Sequence, residues 1–298
     1  MLIETEYSKL AEIVRNHTRP EDSSQELAPE ITSALKSRGY FSLLLPEHLG
    51  GAQLDFPDYI DLVFRFAELD ASTAWCINQG SVLASLARLV DLGTAKTIWQ
   101  SSEISLANGP PAASCESQQA SGGYQLSGTW NFSSGIAHAD WLIGVARTKM
   151  KNGNQKSMMH LLPKSKANIE KSWDVSGLRQ TGSYQFSTEK LHIPENFTFV
   201  YEIKKRDAPL YQIPLNLLFA GGFAAVALGT SRAAIDQAIK ICQIKIKRFS
   251  KVVMHKDSAT QDVLGHAEAT WHAAKSYLLS AVERTWEATN AKGVCAKE

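Results

Sequence analysis

The residues that could do chemistry here are mostly hydroxyls and amides. Ser133 and Ser134 stand side by side, and Arg179, Thr181 and Ser183 crowd a second short stretch around Gly182. An Arg beside Thr, Gly and Ser offers donors for a phosphate or a ribose, although such turns also form for local reasons. Asn108 and Gly109, just ahead of Pro110-Pro111, read equally as a ligand-facing backbone or a plain strand-to-loop turn. His138 is the natural acid or base of the set. It reads better as a residue that hydrogen-bonds backbone and orders its loop, with Asp140 and Trp141 structural beside it. His48, His266 and His272 have neither a paired carboxylate nor a second His at ligand spacing, so no metal site is expected. None of the four cysteines (Cys76, Cys115, Cys242, Cys295) lies within four residues of another, which removes zinc knuckles and CxxC redox pairs. Arg248 and Gln261 flank a polar connection and, taken singly, read as solvated helix-end residues.

The elements that must position these groups fall into three zones. The 298 residues are 44% hydrophobic and 20% charged with a net charge of +1, which suits two or three ordinary domains and gives no electrostatic case for nucleic acid or membrane. Residues 1–102 are helical. Leu10, Ile13 and Val14 begin one stripe, and Ile31, Ala34 and Leu35 form another that Gly39 ends. Pro57 opens a third helix, and Asp70 is the N-cap of a fourth that runs through Trp75. Residues 103–205 change texture to short strands and form an antiparallel β-domain. A hairpin is predicted about Gly128, strands over 141–146 and 158–162, and separate short strands at 185–187 and 191–193. Residues 206–298 return to helices, one to about Arg248 and one over about 259–290. The stripe Leu264, Ala267, Trp271, Ala274, Leu278 and Val282 calls for a partner, so this zone reads as an incomplete bundle or an oligomer face. The class is α+β: N-terminal helical domain, middle antiparallel β-domain, C-terminal partial four-helix bundle. The Met1–Val14 stretch carries Glu4 and Glu6 without a basic start, unlike a signal peptide, and the thiols read as reduced, which points to the cytoplasm.

Several motifs in this order resemble the acyl-CoA dehydrogenase superfamily. They are the Pro46–Gly51 PExxGG turn, the Asp70–Trp75 acid-x-STAW helix start, the Gly128–Trp141 GxWxFxSGxxHADW run, the Trp173–Ser183 WDVxGLRxTGS-like run, Ile193-Pro194-Glu195, and Ala224–Gly229. The Gly128–Trp141 and Trp173–Ser183 forms are most similar to the two-component flavin monooxygenase branch, with Gln180 standing where that branch usually has Gly. The resemblance implies FAD, with FMN as the alternative, a small-molecule substrate, a separate flavin reductase, and a homo-oligomer, a tetramer by family. It places Phe132, Ser133 and Ser134 beside the isoalloxazine ring, with Ser134 near N5, where a small hydroxyl can accept or donate. Read alone, these serines are ordinary strand or turn residues. It puts Asn108 and Gly109 at the flavin pyrimidine, Arg179, Thr181 and Ser183 at phosphate or ribose, and Arg248 and Gln261 at the dinucleotide end across a subunit interface. The substrate would lie between Trp75 to Leu83 and Phe219 to Phe223.

Two departures bear on the chemistry. Where the branch often has a His eight residues after STAW, Leu83 stands here. Where some dehydrogenases carry their proton-abstracting Glu, the Leu215–Leu218 stretch has no acid, and no carboxylate lies between Asp207 and Asp236. Three functions follow: a monooxygenase using reduced flavin and O2, an acyl-CoA dehydrogenase oxidising a thioester Cα–Cβ bond, and a non-catalytic degenerate homologue.

Overall fold

The structure, a computed structural model, describes residues 2–18, 24–204 and 208–292; Cys295 and Asp207 lie outside them. Five helices lead: α1 (Leu2–His17), α2 (Pro29–Lys36), α3 (Phe56–Leu69), α4 (Ala71–Ala84) and α5 (Leu92–Ile98). Pro29 and Pro57 sit in first turns, where a missing N–H costs nothing. Asp70, in extended conformation, ends α3 and caps α4, accepting from Thr73 N at 2.6 Å. Its local chemistry therefore fixes the corner from which Trp75 is aimed. The fully buried Leu35, Tyr59, Ile60, Val63, Phe66 and Ile77 join these helices in one core.

The β-domain is a single mixed sheet. Its strands are β1 (Leu106–Asn108), β2 (Glu116–Ala120), β3 (Gly123–Ser133), β4 (Trp141–Lys149), β5 (Gln155–Pro163), β6 (Asn168–Glu170), β7 (Tyr184–Pro194) and β8 (Thr198–Phe199). The order is β6-β7-β3-β2-β4-β5-β8, with β1 on β4. Most pairings are antiparallel, as expected, but β1 and β2 both run parallel to β4. They act as one strand interrupted by the 109–115 loop, where Pro110 and Pro111 have no N–H to give a ladder. The hairpin expected at Gly128 is instead the turn at Ser121-Gly122 between β2 and β3. Gly128 is a bulge within β3, at φ +156, where a Cβ would lie 2.8 Å from Cys115 Sγ. Likewise β7 is one strand where two short ones were predicted. A second irregularity, between Trp130 and Ser133, puts Phe132 at φ +55.

The C-terminal helices are α6 (Pro209–Gln212), α7 (Leu215–Ile244) and α8 (Ser258–Lys292). Among the described helices, α7 alone is long and apolar enough to cross a membrane. Its Gly221, Gly222 and Gly229 instead close onto α3 and α4, so that a Cβ at Gly222 would sit 1.9 Å from Asn78 Oδ1 and one at Gly229 2.5 Å from Phe64 O. The α8 stripe finds much of its partner inside the chain. Trp271 and Val282 are buried in the core with α3 and α7, and Trp271 Nε1 donates to Leu228 O at 2.9 Å. The stripe read as unpartnered because only its own zone was counted, whereas α3 arrives from the N-terminal zone.

Candidate active site

A cleft of about 590 Å³ opens where the N-terminal helices, the sheet and α7 meet. Small-molecule sites run roughly 300–1,000 Å³. One wall is aromatic. Trp75 on α4 stacks on Phe223 of α7 with ring centres 4.5 Å apart, and Phe223 stacks on Phe219 at 5.9 Å. Asn216 extends that face of α7 at helical spacing, and Gln79 extends α4 one turn beyond Trp75. Opposite lie Asn108 and Pro110 at the end of β1, Phe132 and Ser134 at the end of β3, and Trp173, Leu178, Thr181 and Ser183 from the connection before β7. No lining residue carries a formal charge.

The polar feature of this wall is a chain of hydroxyls. Trp75 Nε1 donates to Ser134 Oγ at 2.9 Å, Ser134 Oγ lies 2.7 Å from Ser183 Oγ, and Ser183 Oγ lies 2.6 Å from Thr181 Oγ1. Thr181 Oγ1 donates onward to Leu178 O at 2.9 Å. Ser134 reaches this position because the irregular end of β3 turns the chain. Gly135 N donates to Thr181 O at 2.8 Å, and Gly135 itself takes φ +77. The turn is tied to the helices by Lys36, which donates to Asp140 at 2.8 Å, and by His138, whose ring stacks on Phe41 at 4.4 Å. Desolvation, with Lys36 and Lys164 nearby, pushes His138 down to about 3, so it stays neutral and orders the turn outside the cleft.

The remaining residues singled out from sequence divide. Asn108, Phe132, Ser134, Thr181, Ser183, Trp75, Phe219 and Phe223 all line the cleft. Ser133 does not: it is fully buried, and the register shift beside it turns its hydroxyl back toward Trp130 O. Gly109 lies under the strand, where a Cβ would sit 2.2 Å from Asn131 O. Leu83 is packed in the core with Leu45, Leu86 and Trp99. Eight residues after Trp75 the helix has turned about 80° from it, whereas Gln79 at four is only about 40° away. Arg179 is half-buried beside the lining residues, with its Nε buried and without a hydrogen-bond partner, a donor left for an anionic or carbonyl group. Arg248 stands over the Phe249 ring and Gln261 donates to His255 O, both exposed and away from this cleft. The contact expected of them crosses between subunits, and one chain does not contain it. Sequence reasoning missed Gln79, Pro110, Trp173, Leu178 and Asn216. Helical spacing from Trp75 and Phe219 would have found Gln79 and Asn216; the two residues of the 171–183 connection carry no periodic signal. Among the described residues no group of three or more His, Cys, Asp or Glu could hold a metal.

Known proteins resemble this chain in sequence and in fold. A family model described as acyl-CoA dehydrogenase, C-terminal domain, matches residues 221–298. Indole-3-acetate monooxygenase of Pseudomonas putida is 28% identical over 271 residues, covering 89% of this chain and 68% of that protein. The flavin-dependent monooxygenase oxygenase subunit HsaA of Mycobacterium tuberculosis is 27% identical over 234 residues, covering 74% of this chain and 58% of that one. Among solved structures, XiaF from Streptomyces sp., in complex with FADH2 and glycerol, superposes with a TM-score of 0.89 at 22% identity, covering 98% of this chain and 76% of XiaF. At that identity the likeness shows the fold. The residues present fit a flavin ring on their own account: a planar aromatic wall, a fixed hydroxyl, the Asn108 amide, and an orphaned Arg179 donor beside the lining.

Proposed function

The chain belongs to the acyl-CoA dehydrogenase superfamily, and on that premise we propose that it is the oxygenase component of a two-component flavin-dependent monooxygenase. It takes reduced flavin from a separate reductase and uses O2 to oxygenate a small, largely aromatic substrate. Bound reduced flavin supplies the electrons and the centre at which O2 is activated. The chain's own residues supply the rest. Ser134 presents a hydroxyl held by Trp75 and Ser183. Trp75, Phe223 and Phe219 exclude water and offer a flat surface to a ring. Asn108 and Asn216 offer neutral amides for orientation. Arg179 offers a cation to a phosphate.

The observation that carries this reading is the uncharged cleft with a fixed chain of three hydroxyls along one wall. An acyl-CoA dehydrogenase needs a base at the substrate's α-carbon, and at the start of α7 the residue facing the cleft is Asn216. The flavin is FAD, as in the XiaF structure that holds FADH2, with FMN, held by another similar structure, as the alternative. Free, buried Cys76, Cys115 and Cys242 support a reducing, cytoplasmic setting. A homo-oligomer is supported by apolar side chains left in water around the α7–α8 connection, Ile244 at 82% and Phe249 at 95% exposure. The test supplies the protein with FAD, NADH and an independent flavin reductase, and screens indoles and phenols for incorporation of labelled oxygen from O2. Incorporation that requires the protein is the expected result. Anaerobic bleaching of bound FAD by acyl-CoA, without oxygenation of any substrate, would overturn it in favour of the dehydrogenase.

A further inference from the structure

The hydroxyl chain behind Ser134 has a direction. Three hydroxyls, those of Ser134, Ser183 and Thr181, carry one proton each, and three contacts must be bridged: Ser134 to Ser183, Ser183 to Thr181, and Thr181 to the Leu178 carbonyl. A carbonyl can only accept, so Thr181 must donate to it. Thr181 then accepts from Ser183, and Ser183 accepts from Ser134. Only this assignment makes all three bonds. Trp75 Nε1, a donor without acceptor capacity, takes one lone pair of Ser134 Oγ. Ser134 is left with one lone pair and no proton to give. All three hydroxyl residues line the cleft, and all three are buried enough that water does not readily reorient them.

We infer that Thr181 and Ser183 are positioning residues that lock Ser134 as a hydrogen-bond acceptor toward the cleft, and so select the redox state of the flavin bound there. This rests on the flavin reading above. Reduced flavin carries a proton on N5 and can donate to Ser134; oxidised flavin has only a lone pair at N5 and meets another lone pair. The selection belongs to the chain's terminus at the Leu178 carbonyl and not to Ser134 alone. Removing the Thr181 hydroxyl frees the Ser183 proton to turn to Ser134, and the Ser134 proton then turns into the cleft. The preference at N5 is released although Ser134 is untouched.

The experiment titrates the protein anaerobically with FAD and with dithionite-reduced FAD, following tryptophan quenching, and takes the ratio of the two dissociation constants. Thr181→Val keeps the branched shape and deletes the hydroxyl. It is expected to lower the preference for reduced FAD by about tenfold, the scale of one hydrogen bond made or opposed. Thr181→Ser should keep the wild-type ratio. Ser183→Ala, which uncouples Ser134 with a smaller change in packing, should move the ratio in the same direction as Thr181→Val. A merely structural role would weaken both forms alike. An unchanged ratio in Thr181→Val and Ser183→Ala, with FAD still bound, would overturn the inference and leave the flavin reading standing. Failure of the wild-type protein to bind FAD in either form would overturn the flavin reading itself.

Discussion

Gly222→Ala is a sharp test of how the cleft is assembled. Gly222 lies on α7 between Phe219 and Phe223, against α4 between Trp75 and Gln79. An alanine Cβ there would stand 1.9 Å from Asn78 Oδ1 and 2.3 Å from its Cγ. Ordinary contact begins at 3.4 Å, so the two groups must part by about 1.5 Å (3.4 less 1.9). Asn78 cannot swing away, because it is fully buried and Tyr59 Oη donates to its Oδ1 at 2.6 Å. Overpacking costs about 1–3 kcal/mol, and weakening the Tyr59 bond costs about 1 kcal/mol more. Better helix propensity of Ala offsets about 1 kcal/mol. The net is a loss of about 2 kcal/mol, with α7 displaced from Trp75 and flavin affinity reduced. Gly265→Ala on α8 is the control: nothing lies within 4 Å of its Cβ, so it should gain about 1 kcal/mol. Urea unfolding of both variants measures the difference. Equal stability of the two would refute the close α4–α7 packing on which the aromatic wall depends.

Two other sites, His160 and Phe132, are open to test. His160 is fully buried, bonded to Ser117 at 2.9 Å and Thr198 at 3.0 Å, and desolvation pushes it down to about 4. Its folded value lies below its unfolded value, so the stability it confers is complete above about pH 7 and is lost as pH falls toward 4. That amounts to about 2 kcal/mol between pH 7 and pH 5, and His160→Gln should flatten this slope in thermal melts; an unflattened slope would assign the acid sensitivity elsewhere. Phe132 holds φ +55 while 63% exposed, so Phe132→Gly should leave stability unchanged or raise it by about 1 kcal/mol. The same variant should bind flavin more weakly, because Phe132 lines the cleft; loss of stability with intact binding would reverse that reading.

Local chemistry was legible in the sequence. Asp70 caps α4, Pro57 opens α3, and Gly39 takes φ +71 past α2, each through its own backbone preference. The Gly128–Trp141 and Trp173–Ser183 runs led to the cleft because their hydroxyls meet there. What failed was non-local. Gly128 carries a turn residue's freedom, yet strand β7 pairs on both sides of it and makes it a bulge. The parallel pairing of β1 and β2 on β4 depends on strands far apart in the chain, which periodicity does not report. Ser133 and Ser134 are alike in composition, and only the register shift before them decides which one faces the cleft. Leu83 was chosen by counting from Trp75, and the angular drift of a helix put it in the core.

The central claim is that Ser134 faces the reactive nitrogen of a flavin bound in this cleft. The most direct measurement is the 15N resonance of N5 in labelled, reduced FAD bound to the wild-type protein and to Ser134→Ala. A hydrogen-bonded N5–H in the wild type that reverts toward its free value in the variant is the predicted result. FAD that binds with the same N5 resonance in both proteins would contradict the claim.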